Sequence, residues 1–249
     1  MITKKYYKLI RVSYEDQQYL TLTNTSGTAG GFNLVKEGTQ APTPNLEYSL
    51  NGVDWTSYDF TNLPTVTIPI DGHIYLRGNN SNGFNRTWNC YKLNMDVDFE
   101  ASGNLFSLRN TDPTIFSTYT SVQSYEFYYL FNGTNLTDAS RLLTNVITTV
   151  SESGLTGLFQ KCGKLRFGSD FSNINSVVNY SMGGVYDSCY KLEKIIAPNV
   201  STWNTTAFNS WAQYAGSSVT GTKTFYAPTG LEIPTNSSGI PNGWTRVDY

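Results

Sequence analysis

The sequence predicts an α+β fold: an amino-terminal antiparallel β-sandwich-like module, then a short helix/strand solenoid with a carboxy-terminal cap. Short alternating segments separated by turn residues fill the first hundred or so positions. Beyond them an apolar pattern recurs at a spacing of 26 to 28 residues. We therefore divide the chain into a β-rich module at 1–118 and a solenoid with its cap at 119–249.

The β module is predicted from segments rich in β-branched and aromatic residues. These are "YLTLT" (19–23), "LEYSL" (46–50), "TVTIPI" (65–70) and "HIYLRG" (73–78). Asn51-Gly52 follows the second segment, and Asp71-Gly72 separates the last two. Such pairs tolerate the positive φ that tight hairpin turns require, so the sequence predicts a β-hairpin at each of them.

The solenoid is predicted from a repeated phrase, "GLFQKCGKL" at 157–165 and "GVYDSCYKL" at 184–192. Leu155, Leu158, Phe159 and Cys162 follow the spacing i, i+3, i+4, i+7, which is typical of one face of an α-helix. The equivalent residues of the other repeats are Phe127, Leu130 and Phe131; Met182, Val185, Tyr186 and Cys189; and Phe208, Trp211, Ala212 and Ala215. The pattern predicts four helices, each followed by a turn and a short strand, that stack because none can bury its apolar face alone.

The repeats resemble a known family. "YLFNGTNL", "LFQKCGKL" and "VYDSCYKL" are similar to the "MFxxCxxL" phrase of BspA-like leucine-rich repeats, which occur in gut-bacterial surface proteins and bacteriophage tail or fibre proteins. The final stretch "TFYAPTGLEIPTNSSGIPNGWTRVDY" (224–249) resembles the closing cap of such arrays, "SGIPNGWT" (238–245) most of all. The resemblance implies a leucine-rich-repeat solenoid of about four units and a non-enzymatic adhesion or recognition module. It transfers no catalytic residue.

Charge and apolar content exclude two classes of partner. The net charge is −2 and only 14% of residues are charged, so no basic excess is present to displace counterions from nucleic acid. No apolar run approaches the ~20 residues that cross a bilayer, so no membrane insertion is expected.

Candidate catalytic residues are few. Asp96, Asp98 and Glu100 alternate in "NMDVDFE", and on one strand their carboxylates would point the same way, as in the D-x-x-D-x-D-x-E signature of chitinase-type glycosidases. The first position of that signature is Leu93, and the preceding hairpins do not fit the (β/α)₈ barrel of that class. We therefore predict no enzyme and no cofactor. A glycoside hydrolase using Asp98 and Glu100, or a Ca²⁺ site, are the alternatives.

Histidine and cysteine chemistry is equally sparse. His73 is the single histidine and follows the Asp71-Gly72 turn, a position that is usually exposed. Cys162 and Cys189 lie at equivalent repeat positions, where we expect buried thiols and not a zinc site, because soft ligands are missing nearby. Cys90 is predicted to be a core residue. The sequence thus predicts no metal site.

Aromatic residues beside amides and hydroxyls are the predicted ligand-binding groups. Trp203 and Tyr214 lie in "STWNTTAFNSWAQY" outside the predicted apolar face, and Tyr190 lies in the turn where the preceding repeat has Gly163. Aromatic rings supply contact area at low entropic cost, and amides supply directional hydrogen bonds. We predict that Tyr190, Trp203 and Tyr214 bind a ligand.

Together these observations predict a structural recognition component of a bacteriophage virion, in the tail or a fibre, that binds a host-surface glycan or protein. The first twenty residues show no apolar secretory core, which favours a virion protein over a cell-surface adhesin of a gut bacterium, the main alternative. Residues 1–18 are rich in lysine and tyrosine and are predicted to anchor the chain to other virion proteins. A homo-oligomer is expected by analogy with phage fibres.

Overall fold

A computed structural model describes residues 19–144 and 146–249. The predicted anchoring segment, 1–18, lies outside the described residues. The first part of the described chain contains the strands β1 (Leu20–Asn24), β2 (Gly30–Glu37), β3 (Glu47–Ser49), β4 (Thr56–Ser57), β5 (Val66–Ile68), β6 (His73–Arg77), β7 (Cys90–Met95) and β8 (Phe99–Gly103). Two short 3-10 helices follow, at Leu105–Leu108 and Pro113–Thr118.

The second part contains shorter strands that recur once or twice per repeat. They are β9 (Ser121–Val122), β10 (Leu136–Leu142), β11 (Thr149–Val150), β12 (Phe167–Asp170), β13 (Ser176–Val177), β14 (Lys194–Ile196), β15 (Thr224–Ala227) and β16 (Thr245–Asp248).

One ten-stranded sheet runs through both parts in the order β16-β15-β14-β12-β10-β8-β1-β6-β3-β4. Its strands are antiparallel from β8 to β4 and parallel from β8 to β16, so β8 is the strand at which the topology changes. Two smaller sheets, β5-β2-β7 and β9-β11-β13, complete the described core. The main sheet therefore crosses the predicted boundary at 118/119, and the division into two domains stays a prediction.

The two predicted hairpins differ in outcome. β3 and β4 pair antiparallel around Asn51-Gly52, as predicted. The Asp71-Gly72 turn also forms, with Asp71 at φ 53° and the Gly72 N–H donating to the Pro69 carbonyl at 3.0 Å. However, β5 pairs with β2 in another sheet, because both edges of β6 are already occupied by β1 and β3. The second hairpin prediction is therefore wrong.

The predicted fold class is also wrong, because the repeats contain no α-helix in the described residues. The four predicted helical segments are ribbons of overlapping turns, at 123–134, 151–162, 178–189 and 208–217. In each ribbon a residue with positive φ recurs every fourth position. These residues are Tyr125, Tyr129 and Gly133; Ser153, Gly157 and Lys161; Tyr180, Gly184 and Ser188; and Ser210 and Tyr214.

Hydrogen bonding explains why the ribbons differ from helices. The Leu158 N–H donates within its own ribbon to the Leu155 carbonyl at 3.1 Å, whereas the Leu155 N–H donates to the Ser181 carbonyl of the next repeat at 2.9 Å. Along the ribbon, amide N–H groups alternate between a carbonyl of the same ribbon and a carbonyl of the next repeat. An α-helix would use all of them internally, so these repeats make inter-repeat backbone bonds that stacked helices could not make.

The predicted apolar positions are nevertheless buried. Leu155, Met182 and Phe208 are fully inaccessible to solvent. Inside the ribbons lies an aromatic ladder formed by Phe99, Phe131, Phe159, Tyr186 and Trp211, with successive ring centroids 6.4, 6.0, 5.7 and 5.5 Å apart. Because it starts on β8 and ends in the fourth repeat, one core joins the β module to the repeats.

The cysteines are buried thiols, as predicted, and none forms a disulfide. The Cys162 Sγ donates to the Phe131 carbonyl at 2.9 Å, and the Cys189 Sγ donates to the Phe159 carbonyl at 3.0 Å. Burial raises the pKa of Cys162 to about 11 and also raises that of Cys189. Both thiols therefore stay protonated and act as hydrogen-bonding core groups.

Candidate recognition site between the last ribbon and the cap

The three carboxylates of the glycosidase alternative do not share a strand. Glu100 lies in β8, but Asp96 and Asp98 lie in the connection before it, so the expected single row of carboxylates is not formed. Each has its own partner. The Gly31 N–H donates to Asp96 at 2.7 Å, Lys164 pairs with Asp98 at 2.5 Å, and Arg141 pairs with Glu100 at 2.6 Å.

His73 is exposed at the start of β6, as predicted. Its Nδ1 lies 3.0 Å from the Thr23 hydroxyl and its ring neighbours Tyr75, so among the described residues no carboxylate is paired with the imidazole as in a catalytic triad. Over the described part of the chain, no cluster of three or more histidine, cysteine or acidic side chains could hold a metal ion. The same residues include no helix that is long and apolar enough to cross a bilayer.

The predicted ligand-binding aromatics have different environments. Trp203 is buried: its ring stacks on Phe208 at 3.8 Å, and its Nε1 donates to the Ser238 carbonyl at 2.7 Å. The expectation that Trp203 is an exposed aromatic is therefore wrong, because Phe208 stacks on its ring and the cap accepts a hydrogen bond from its indole N–H. Tyr190 and Tyr214 are exposed, by 44% and 62%.

Tyr190 and Tyr214 lie on the same edge of neighbouring repeats. The Ser217 N–H donates to the Tyr214 carbonyl at 3.2 Å, and the next residue, Ser218, donates to the Tyr190 carbonyl at 2.9 Å. A Cβ on Gly163 would lie 3.4 Å from the Tyr190 ring, which places this ring beside the equivalent turn of the preceding repeat. The backbones of these two predicted residues are thus held together by adjacent serines, although only Tyr214 lines the cleft described next.

The cap fixes the other wall of a cleft beside Tyr214. The Ala212 N–H donates to the Ser237 carbonyl at 3.1 Å, and the Trp211 Nε1 donates to the Gly239 carbonyl at 3.2 Å. From the cap, the Trp244 Nε1 donates back to the Ala215 carbonyl at 3.2 Å. These bonds hold the cap segment against the last ribbon and leave a concave space between them.

That cleft has a volume of about 310 Å³. Polar side chains converge on it from both walls: Gln213 and Tyr214 from the ribbon, Lys223 from the chain before β15, and Asn236 and Asn242 from the cap. No aspartate or glutamate is among its lining residues. The cleft therefore combines an aromatic ring, amides and one cation, a set suited to binding a polar ligand with an apolar face.

The sequence indicated Tyr214 but not its cleft partners. Asn236 and Asn242 lie more than twenty residues further along the chain, and Lys223 lies in an irregular segment directly before β15. The amide-rich stretch "PTNSSGIPNG" (234–243) was the only local signal, and it resembles a cap and not a binding loop. Comparisons with protein-family models, curated proteins and solved structures found no match to this chain.

Proposed function

We propose that this protein is a non-enzymatic recognition component of a bacteriophage virion, in the tail or a fibre, and that the cleft beside Tyr214 binds a host-surface glycan or protein. The observation that carries the proposal is the Tyr214 ring, 62% exposed at the mouth of a cleft lined by amides. An exposed aromatic beside directional hydrogen-bonding groups is typical of recognition surfaces.

A glycan suits this geometry well. Small-ligand sites have volumes of roughly 300–1,000 Å³, and the cleft lies at the lower end of that range. A sugar ring presents an apolar face to Tyr214 and hydroxyl groups to Gln213, Asn236 and Asn242. Shallow sites of this kind bind weakly one at a time, so several copies in a homo-oligomer would raise the avidity.

The absence of catalytic geometry at the sequence-predicted residues supports a non-enzymatic role. The carboxylates of Asp98 and Glu100 are each paired with a different cation, Lys164 and Arg141. The proposal gives these two ion pairs a structural role, in which they join the β8 region to the repeats.

The virion assignment rests on the family resemblance of the repeats, and the adhesin alternative shares the same cleft. The virion and adhesin assignments are distinguished by mass spectrometry of two fractions of one sample that contains this protein. The fractions are purified phage particles and washed bacterial envelopes. We expect peptides of this chain in the particles. Peptides confined to envelopes would contradict the virion assignment and support the adhesin.

Binding is tested with fluorescently labelled full-length protein on a panel of bacterial isolates, scored by flow cytometry. Wild type is expected to label a subset of isolates and to reduce phage adsorption to them. The Tyr214→Ala variant should lose both effects. The control is Trp88→Ala, which removes a similarly exposed aromatic residue (66%) in the β module and should retain them. Equal labelling by both variants would contradict the assignment of the site.

A further inference from the structure

We infer that the ligand of the Tyr214 cleft is an anionic sugar, whose carboxylate or phosphate is bound by Lys223. The inference rests on the proposed recognition function and specifies the chemical class of its ligand. It starts from the charge balance of the cleft, which has one ammonium group and no carboxylate.

Lys223 is a cation without an anionic partner among the described residues. Seven ion pairs occur in the described chain, and Lys223 takes part in none of them. Its Nζ donates to the Gly216 carbonyl at 3.3 Å. Since a lysine ammonium has three N–H donors, two remain for a ligand.

The lysine is held in place by packing. A Cβ on Gly216 would lie 2.7 Å from the Lys223 Cδ and 2.9 Å from the Trp244 ring, so both side chains cover this glycine closely. Lys223 is half-buried as a result. A side chain that is already ordered loses little entropy when it binds, which favours a specific contact over a loosely tethered surface charge.

The amides around Lys223 suit sugar hydroxyls. The Asn236 Oδ1 accepts from the Ser238 N–H at 2.8 Å, which orients the amide and leaves its N–H groups as donors. Gln213 and Asn242 line the same space. The ammonium adds a charge-assisted hydrogen bond, about twice as strong as a neutral one, and this is the contact that separates an acidic sugar from a neutral one.

A second hollow in the β module provides an internal control. Arg86 lines it together with Asn45, Asn79 and Asn80, but no aromatic residue does. Two of its side-chain amide oxygens already accept hydrogen bonds within the protein: the Asn45 N–H donates to the Asn80 Oδ1 at 2.7 Å, and the Asn79 N–H donates to the Asn45 Oδ1 at 2.9 Å. This hollow therefore has a basic residue near amides but lacks the aromatic ring of the cleft, so Arg86 serves as a control for Lys223.

The test is calorimetric titration of the full chain with three probes: oligogalacturonate, its neutral methyl ester, and galactose 6-phosphate. We expect at least one anionic probe to bind about tenfold or more tightly than the methyl ester, the ratio that one charge-assisted bond supplies. The two anionic probes distinguish a carboxylate ligand from a phosphate ligand. Affinity for the preferred probe should fall as salt concentration rises.

Variants assign the effect to the lysine. Lys223→Gln should lose about tenfold in affinity for the anionic probe, Lys223→Arg should retain most of it, and Arg86→Gln should match wild type. Equal binding of ester and acid, an unaffected Lys223→Gln, or no binding of either anionic probe would overturn the inference. If that happens while labelled wild type still binds cells through Tyr214, the recognition function stands and only the ligand class is wrong.

Discussion

At the scale of single residues, the repeats are defined by the ribbon residues with positive φ, which have the left-handed backbone conformation. Eight of the ten non-glycine residues with positive φ in the described chain lie on the ribbons. Such a conformation costs roughly 1–2 kcal/mol for a residue with a Cβ, so it persists only where surrounding contacts compensate. The bonds between neighbouring ribbons, such as Lys161 N–H to the Asp187 carbonyl at 2.8 Å, provide that compensation.

Gly157 tests this view of the ribbons. It has φ 61°, and an added Cβ would lie 2.1 Å from the Tyr129 ring, so Gly157→Ala is expected to lower the free energy of unfolding by about 3 kcal/mol or more. Gly133→Ala is the matched control, because φ is 72° there but no atom lies within 4 Å. It should cost only about 1 kcal/mol. Urea unfolding measures both, and equal costs would contradict the close stacking of neighbouring ribbons.

The thiols give a second prediction for single residues. Cys90, Cys162 and Cys189 are buried, and burial raises the pKa of Cys90 to about 12. Because the thiolate is the reactive form, iodoacetamide at pH 8 should modify none of them in the folded protein and all three in denaturant. Mass spectrometry counts the adducts. Rapid modification of folded Cys162 or Cys189 would contradict their place in the core.

At the scale of elements, a buried ion pair joins the β module to the first ribbon. Arg109 follows the 3-10 helix Leu105–Leu108, and its Nε donates to the Glu126 carboxylate at 2.8 Å. Its Nη2 donates to both the Glu126 carboxylate and the Ser121 carbonyl. The guanidinium also lies over the rings of Phe106 and Tyr119. Burial raises the pKa of Glu126, and the Arg109 contacts offset part of that effect.

Removing one partner of this pair leaves the other charge buried. Arg109→Met is therefore expected to lower the free energy of unfolding by about 3–5 kcal/mol, and adding Glu126→Met to the same chain should recover most of the loss. Arg141→Met, which breaks the exposed pair with Glu100, should cost less than about 1 kcal/mol. Chemical unfolding of the three variants gives the comparison. A double variant as unstable as Arg109→Met would contradict the explanation.

The elements also show where sequence analysis succeeds and fails. The apolar positions from Leu155 to Cys162 are buried as predicted, yet their spacing fits a four-residue period as well as a helical one over so short a stretch. Only the repeated glycine at 157 and 184 signalled left-handed turns, because glycine adopts positive φ readily. The pairing of β5 with β2 could not be predicted from local sequence either, because the two strands are far apart along the chain.

At the scale of the whole molecule, the continuous sheet and the aromatic ladder connect the two predicted modules. The cleft is formed only when the cap closes on the last ribbon, so its partners for Tyr214 could not be predicted from local sequence. Trp203 shows the same limitation: it was predicted to be exposed, but it is buried and its indole N–H donates to the distant Ser238 carbonyl of the cap. The site depends on contacts between residues that are distant in sequence, and a local sequence pattern does not predict such contacts.

Alkaline pH should destabilise the whole molecule. Burial raises the pKa of Cys162 from 9.0 to about 11 and that of Tyr249 from 10.0 to about 12, and it raises the pKa of Tyr186 as well. The unfolded chain releases these protons first, so the stability they contribute is complete below about pH 9 and falls as pH rises toward 12. The two fully buried groups, Cys162 and Tyr186, each add a slope of up to about 1.4 kcal/mol per pH unit, whereas Tyr249 is 46% exposed and adds less because solvent screens it. Urea unfolding from pH 8 to 11 measures this, and constant stability would contradict it.

The central claim is that the repeats stack as ribbons bonded to one another and thereby support the cap and its cleft. Nuclear magnetic resonance can test it through scalar couplings across hydrogen bonds in deuterated protein. We predict a coupling from the Leu155 amide to the Ser181 carbonyl and another from the Gly157 amide to the Gly183 carbonyl, 2.9 and 2.8 Å apart. Couplings from Leu155 to Ser151 and from Gly157 to Ser153, the partners in an α-helix, would contradict the account.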